Sequence, residues 1–268
     1  MFGAADRNFK PVQLYQLNGL TGVNCRVLQP ADALIQFIHY YWVLEISAQH
    51  VDLPVIPDNA VDLVLSPESK TMCALYFPQA EKFEISLVGP ATYVGSCFHI
   101  QHLPRIFNQS IEALRELAPG APSAQALELD ELIAEIQGVE SDGVIQELLD
   151  RHYASIDTIS GGSSEASLFA EFADRLEPAT VKTLATSVGL SERQFRRLAV
   201  DHFGLSPKKL QRVMRLQQAL NKLIEEGLSP LDEGYYDDSH KIRELKKLTG
   251  LTPTEIRRMA EIYNQSDR

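Results

Sequence analysis

Three arginines stand close together in the segment GLSERQFRRL, residues 189–198, at positions 193, 196 and 197. Offsets of three and four place Arg193, Arg196 and Arg197 on one side of a helix. Phe195 and Leu198 fall toward another side, so the segment reads as an amphipathic helix with a basic face. A guanidinium is always charged and donates in a planar fork that fits two acceptors at once, such as a phosphate or guanine O6 and N7. The face implies an anionic partner; the plainer reading is a solvated charged surface.

The charge distribution sharpens that choice. The 268-residue chain has a formal net charge of -11, but residues 1–173 hold 8 Lys and Arg against 22 Asp and Glu. Residues 174–268 hold 17 against 14, so an acidic body precedes a mildly basic C-terminal part. That asymmetry fits a nucleic-acid module joined to a different domain.

Other chemistries find little support. His99 and His102 lie near Cys97, but a strand would send the two imidazoles to opposite faces, and no further close ligand pattern appears. There is no Gly-rich phosphate loop, no Gly-x-Ser-x-Gly and no His-Glu-x-x-His, so no metal, cofactor or catalytic activity is expected. The carboxylates along 128–150 follow helical periods and read as solvated faces. Cys25, Cys73 and Cys97 are odd in number and widely spaced, which suggests reduced thiols in a cytoplasmic protein. No stretch approaches the ~18 consecutive apolar residues of a membrane helix, and the N-terminus lacks the pattern of a signal peptide.

The elements that must carry the basic face follow from periodicity. HYYWVLEI (39–46), AVDLVLS (60–66), MCALYF (72–77) and EISLVG (84–89) read as strands, punctuated by prolines. ADALIQFIHYYW has a pattern that begins as a helix before becoming a strand. From about residue 110 the pattern turns helical, in SIEALRELA, ALELDELIAEIQ and GVIQELLDRHYA. The Ser- and Gly-rich segment 158–167 reads as a linker, and the chain beyond it is helical. The expected fold class is α+β: residues 1–157 form a β-rich N-terminal domain with helices, and 168–268 an all-α domain. Those last helices read as supplying their own apolar face, which predicts a fragment that folds alone after cleavage in 158–167.

Residues 180–223 read as two short helices with a tight turn, followed by a longer helix. Leu184, Ala185 and Val188 make the buried side of the first, and Gly189 supplies the positive φ that ends it. Ser191 is the N-cap of the next helix, and Gln194 completes a capping box. This is helix-turn-helix grammar, in which the second helix enters a major groove. LATSVGLSERQFRRL, FGLSPKKLQRVMRLQQAL and GYYDDSHKIRELKKLTGLTP, in that order, resemble the DNA-binding domain of AraC-type (AraC/XylS family) transcription regulators. The resemblance covers roughly a third of the chain. It implies two helix-turn-helix units bridged by a long helix, with double-stranded DNA as the partner.

Carried over position by position, the resemblance puts Arg193, Gln194, Arg196 and Arg197 on the first recognition helix and Lys208 and Lys209 at the start of the bridging helix. Asp238, Ser239, Ile242 and Arg243 take the corresponding places on a second recognition helix from about 237 to 247, capped by Asp237. The second unit is shorter: TVKTLATSVG supplies ten residues up to its glycine, SPLDEG only six. Lys241 and Leu245 stand where the family usually has phenylalanine. A weaker second reading head is the expectation.

YYWVLEI, PVIPDNAVDLVLS and LVGPATYVG are similar to an N-terminal domain of some AraC-type regulators. That resemblance makes Tyr40, Tyr41, Trp42, Asp58 and Asp62 candidates for a small-molecule effector pocket. Core packing is the alternative for Trp42 and the tyrosines, and turn chemistry for Asp58. RNA polymerase and a second copy of the chain are further partners consistent with the resemblance; a membrane is not. A rival reading is a ligand-binding or protein-interaction regulator whose DNA-binding head is degenerate.

Overall fold

The computed structural model describes residues 10–17, 20–68, 73–117, 127–154, 180–225 and 239–266. A five-stranded antiparallel sheet runs in the order β1-β2-β7-β4-β5, and β3 pairs with β6 in a separate two-stranded ribbon. The strands are β1 Val23–Leu28, β2 Ile38–Ile46, β3 His50–Val55, β4 Ala60–Leu65, β5 Cys73–Tyr76, β6 Phe83–Val88 and β7 Ala91–His99. All four expected strands are present. The helical start expected for ADALIQFIHYYW is absent: turns occupy 32–37 and strand β2 begins at Ile38. That strand is buried along almost its whole length because β1 and β7 flank it and both of its faces are covered.

The two faces of the large sheet meet different partners. Tyr40, Trp42, Leu44, Ala60, Val64 and Cys97 pack with Leu53 of β3 and Leu87 of β6, so this face looks inward between the sheets. The opposite face, with Tyr41, Val43, Leu63, Leu75 and Phe98, packs against helices. Those are α1 Leu103–Ile106, α2 Ile111–Glu116, α3 Asp130–Ile136 and α4 Asp142–Ala154. Polar tips fix α4 on the sheet: Tyr153 Oη donates to Ser96 Oγ at 3.1 Å and Tyr41 Oη to Asp150 Oδ1 at 3.0 Å. The three cysteines are buried and none forms a disulfide.

The C-terminal helices are α5 Val181–Ser187, α6 Glu192–Phe203, α7 Pro207–Glu225, α8 Ser239–Thr249 and α9 Pro253–Ser266. Their apolar faces are not self-contained. Leu184, Phe195, Leu198, Phe203, Val213 and Met214 belong to the same cluster as the helix-covered face of the sheet. Leu216, Leu220, Leu248 and Ile256 form another with Leu14, Leu17 and Ile56. This departs from the expected independent fragment, which would keep only part of the core that covers its helices. The segments 158–167 and 229–234 and the cap at Asp237 lie outside the described residues.

Candidate nucleic-acid interface and effector site

The first helix-turn-helix is built by local rules. Thr180 caps α5 by accepting from Thr183 N at 3.1 Å. Gly189 takes φ +72°, and Leu190 N closes the turn on Ala185 O at 2.9 Å. Ser191 Oγ accepts from Gln194 N at 3.3 Å while Gln194 Oε1 accepts from Ser191 N at 3.1 Å, a complete capping box. Two orphan donors of α6 are thereby satisfied. Phe195, Leu198, Ala199 and Phe203 anchor the helix in the core, and Arg193, Gln194, Arg196 and Arg197 are exposed.

The arginines differ in what holds them. Arg196 Nη2 donates to Glu192 Oε2 at 2.9 Å, and Arg197 Nε lies 4.0 Å from Asp201 Oδ2. Both pairs are exposed and therefore weak, about 0.3–0.5 kcal/mol each, so a stronger anion competes readily. Among the described residues Arg193 forms no ion pair of this kind, and the oxygen of Gln194 is committed to the cap while its NH2 remains a donor. Lys208 and Lys209 are exposed in the first turn of α7, beside the free N–H groups of its start. On α8, Ile242 and Arg243 are exposed; the side chains of Ser239 and Lys241 are outside the described residues. Arg212 Nε of α7 meets Glu244 Oε1 of α8 at 2.5 Å, tying the two helices together.

The N-terminal part holds these helices at several points. Arg115 Nη2 donates to His202 O at 2.9 Å, capping the carbonyl end of α6, while its guanidinium lies 4.7 Å from the Phe77 ring centroid. Lys247 Nζ of α8 lies 3.2 Å from Glu81 Oε1. At the centre, Gln217 of α7 is fully buried. Its Oε1 accepts from Val12 N at 2.7 Å, and its Nε2 donates to Pro57 O at 2.8 Å and Val12 O at 3.1 Å. Gln13, next in the chain and also fully buried, accepts from Ile56 N at 2.9 Å. Its Nε2 donates to Ile56 O at 2.9 Å and to Asp58 Oδ2 at 2.6 Å. Asp58 is therefore linked to α7 by two sets of hydrogen bonds, those of Gln13 and those of Gln217, joined through the adjacent residues 12–13 and 56–58 of the chain.

Asp58, Asp62, Trp42 and Tyr40 come together between the sheets. Trp42 Nε1 donates to Asp62 Oδ1 at 2.9 Å, although β7 separates β2 from β4. The indole reaches across because the residue beneath it is Gly95: a Cβ there would lie 2.0 Å from Trp42 Cε2. Burial raises the pKa of both carboxyls, and the Asp58 charge raises Asp62 further. Tyr15 packs edge-on to Trp42, ring centroids 6.2 Å apart. Asp58 also accepts from Ala60 N at 3.0 Å, which is its turn role. Tyr41 points to the other face, onto Asp150, and does not share the site. Gly95→Ala is expected to push the indole off Asp62, costing about 1–3 kcal/mol through overpacking and changing the emission of Trp42. Unchanged stability and emission would contradict this packing.

His39, His99 and His102 also meet, with ring centroids 3.6 Å apart for His39–His99 and 6.3 Å for His99–His102. Burial lowers all three imidazole pKa values, His99 to about 4. Among the described residues no group of three or more His, Cys, Asp or Glu side chains could hold a metal. Nor is any described helix long and apolar enough to cross a membrane.

Comparison with known proteins bears on this geometry. Residues 184–259 match the family described as "Helix-turn-helix domain", and residues 26–118 match "Domain of unknown function (DUF6597)". No curated protein sequence matches the chain. Among solved structures, an apo ToxT variant from Vibrio cholerae strain SCE256 is 10% identical with a TM-score of 0.39, covering 89% of this chain and 97% of its own. ToxT from Vibrio cholerae O395 is 10% identical with a TM-score of 0.37, covering 90% and 99%. An unsaturated fatty acid-bound wild-type ToxT from strain SCE256 is 10% identical with a TM-score of 0.39, covering 88% and 94%. A likeness at this level sets neither function nor ligand.

The capped, exposed α6 lies inside the matched region, and residues 184–259 form a helix-turn-helix domain.

Proposed function

We propose that this regulator reads the major groove through Arg193, Arg196 and Arg197 of α6. Gln194, Lys208 and Lys209 add contacts beside them, and Ser239, Ile242 and Arg243 of α8 supply a weaker second head. The observation that carries this reading is the exposed arginine face on a helix whose start is capped and whose apolar side is buried. Residues 1–157 serve as the effector-sensing domain, 158–167 as the linker and 168–268 as the DNA-binding domain. The effector site is Asp58, Asp62, Trp42 and Tyr40, and its state reaches α7 through the hydrogen bonds of Gln13 and Gln217. The acidic neighbours of Arg196 and Arg197 favour the rival reading, a regulator with a degenerate head.

Binding at several salt concentrations separates the two. Arg196→Ala should weaken binding to a specific site by about 1–3 kcal/mol through loss of a bidentate base contact. Arg243→Ala should cost clearly less discrimination and chiefly lower the salt slope by about one, as when a single phosphate contact disappears. Equal loss of specificity from both would show the second head to be as well braced as the first. No loss from either would favour the degenerate head.

A further inference from the structure

The effector site has a chemistry that narrows what it accepts. Two carboxyls lie on the inward face of the sheet, and none of the groups acting on either one is basic. The side chains around them are aromatic, aliphatic or thiol: Tyr15, Tyr40, Trp42, Ala60, Val64 and Cys97. Enclosing a carboxylate without a counter-charge is costly, so such a group holds its proton or waits for a cation.

A second observation points to an occupant. Tyr40 is 1% exposed, and its hydroxyl meets only the Cys97 thiol, a weak partner, with no nitrogen or oxygen in hydrogen-bond geometry. The polar groups acting on it are Cys97, Asp62, Tyr15 and Asp58, so it is aimed into the same cluster. A buried hydroxyl without a nitrogen or oxygen partner is uncommon in a native protein and fits a ligand that completes it. Asp62 keeps some contact with solvent while Asp58 is almost fully enclosed. Asp58 is already fixed by Gln13 and Ala60, and Asp62 by Trp42, so the acceptors are set before anything enters.

We propose that Asp58 and Asp62 receive a small organic cation, an ammonium or guanidinium ligand, with the rings of Tyr15, Tyr40 and Trp42 around it. The cation supplies the counter-charge that the site lacks and donates to both carboxylates. The Tyr40 hydroxyl accepts from it, and the ring faces attract it electrostatically. A carboxylate ligand would add a further acid beside the two already there, and a neutral polyol would supply no counter-charge with which either could ionise. This assignment rests on the reading of the same residues as the effector site.

Trp42 is the only tryptophan of the chain and its ring nitrogen sits on Asp62, so its fluorescence reports the site directly. The full chain is titrated at constant ionic strength with butylammonium and agmatine, and in parallel with xylose and decanoate. The expected result is a saturable change with at least one of the two cations and none with xylose or decanoate. Asp62→Asn keeps an acceptor for Trp42 but loses the charge, and should weaken that binding about 30-fold or more. Tyr40→Phe, which removes a hydroxyl met only by the Cys97 thiol and should move the thermal midpoint little, should weaken it several-fold. The second variant decides the matter if the first does not fold. No response to either cation, or equal affinity in wild type and both variants, would overturn the proposal. Binding of xylose or decanoate in place of the cations would also overturn it, while leaving the effector site in place with another ligand class.

Discussion

Gln217→Leu is expected to lower the stability of the chain by about 2–4 kcal/mol and to uncouple its two parts. The amide serves Val12 N, Val12 O and Pro57 O, and all three lose their partner when the side chain becomes apolar. Each buried orphan costs about 1–3 kcal/mol, and three of them exceed what one extra buried apolar side chain returns. The loss falls at the seam between α7 and the segment 12–57, where Leu216 and Leu220 also meet Leu14, Leu17 and Ile56. Unfolding in denaturant followed by Trp42 fluorescence and by far-ultraviolet circular dichroism should give one coincident transition for the wild type. In the variant the dichroism, dominated by helix, should move to lower denaturant than the fluorescence. A loss below about 0.5 kcal/mol, the range of ordinary surface changes, would mean that the seam tolerates the change.

The second large effect is on DNA. Replacing Arg193 and Arg196 together by alanine should weaken binding to a specific site by about 2–6 kcal/mol, at roughly 1–3 for each bidentate contact. Binding to random DNA should fall far less, with a salt slope smaller by about two if both side chains also neutralise phosphate charge. The fold should barely respond. Both side chains are exposed, and the Arg196–Glu192 pair is worth about 0.3–0.5 kcal/mol. A melting temperature within a few degrees of wild type therefore separates loss of recognition from loss of structure. The two residues are neighbours on one helix, so their effects need not add.

The first helix-turn-helix was legible in the sequence because its signals are local. A Ser–Gln pair three apart makes the capping box, one glycine makes the turn, and Phe195 and Leu198 mark the buried face. Strands β2, β4, β5 and β6 were legible for the same reason, whereas β3 and β7 were not. Strand β3 alternates Val51, Leu53 and Val55 but contains Pro54, which reads as a turn, and β7 is interrupted by Gly95 and buried on both faces, so it shows no period of two. The candidate residues of the effector site were individually visible but not their meeting. Trp42 reaches Asp62 across an intervening strand, which depends on sheet order. A glycine inside a strand pattern, Gly95, was the available signal of a close approach.

The seam was missed although it left a trace. Along α7 the apolar series Leu210, Val213, Leu220 and Ile224 has Gln217 at a position where an apolar residue belongs. A polar residue in that place asks for a buried partner. That partner is residues 12 and 57, more than 150 positions earlier. No local pattern gives such a pairing, and reading the C-terminal helices as self-sufficient followed from its absence.

The central claim is that α6 reads DNA sequence through its arginines. Selection of bound duplexes from a random pool, run in parallel on the full chain and on the variant carrying Arg193→Ala with Arg196→Ala, tests it most directly. The account predicts a defined motif enriched by the wild type, and loss of preference by the variant at one contiguous block of about three to four base pairs, the reach of a single recognition helix. No enriched motif with the wild type, or the same motif with both proteins, would contradict it.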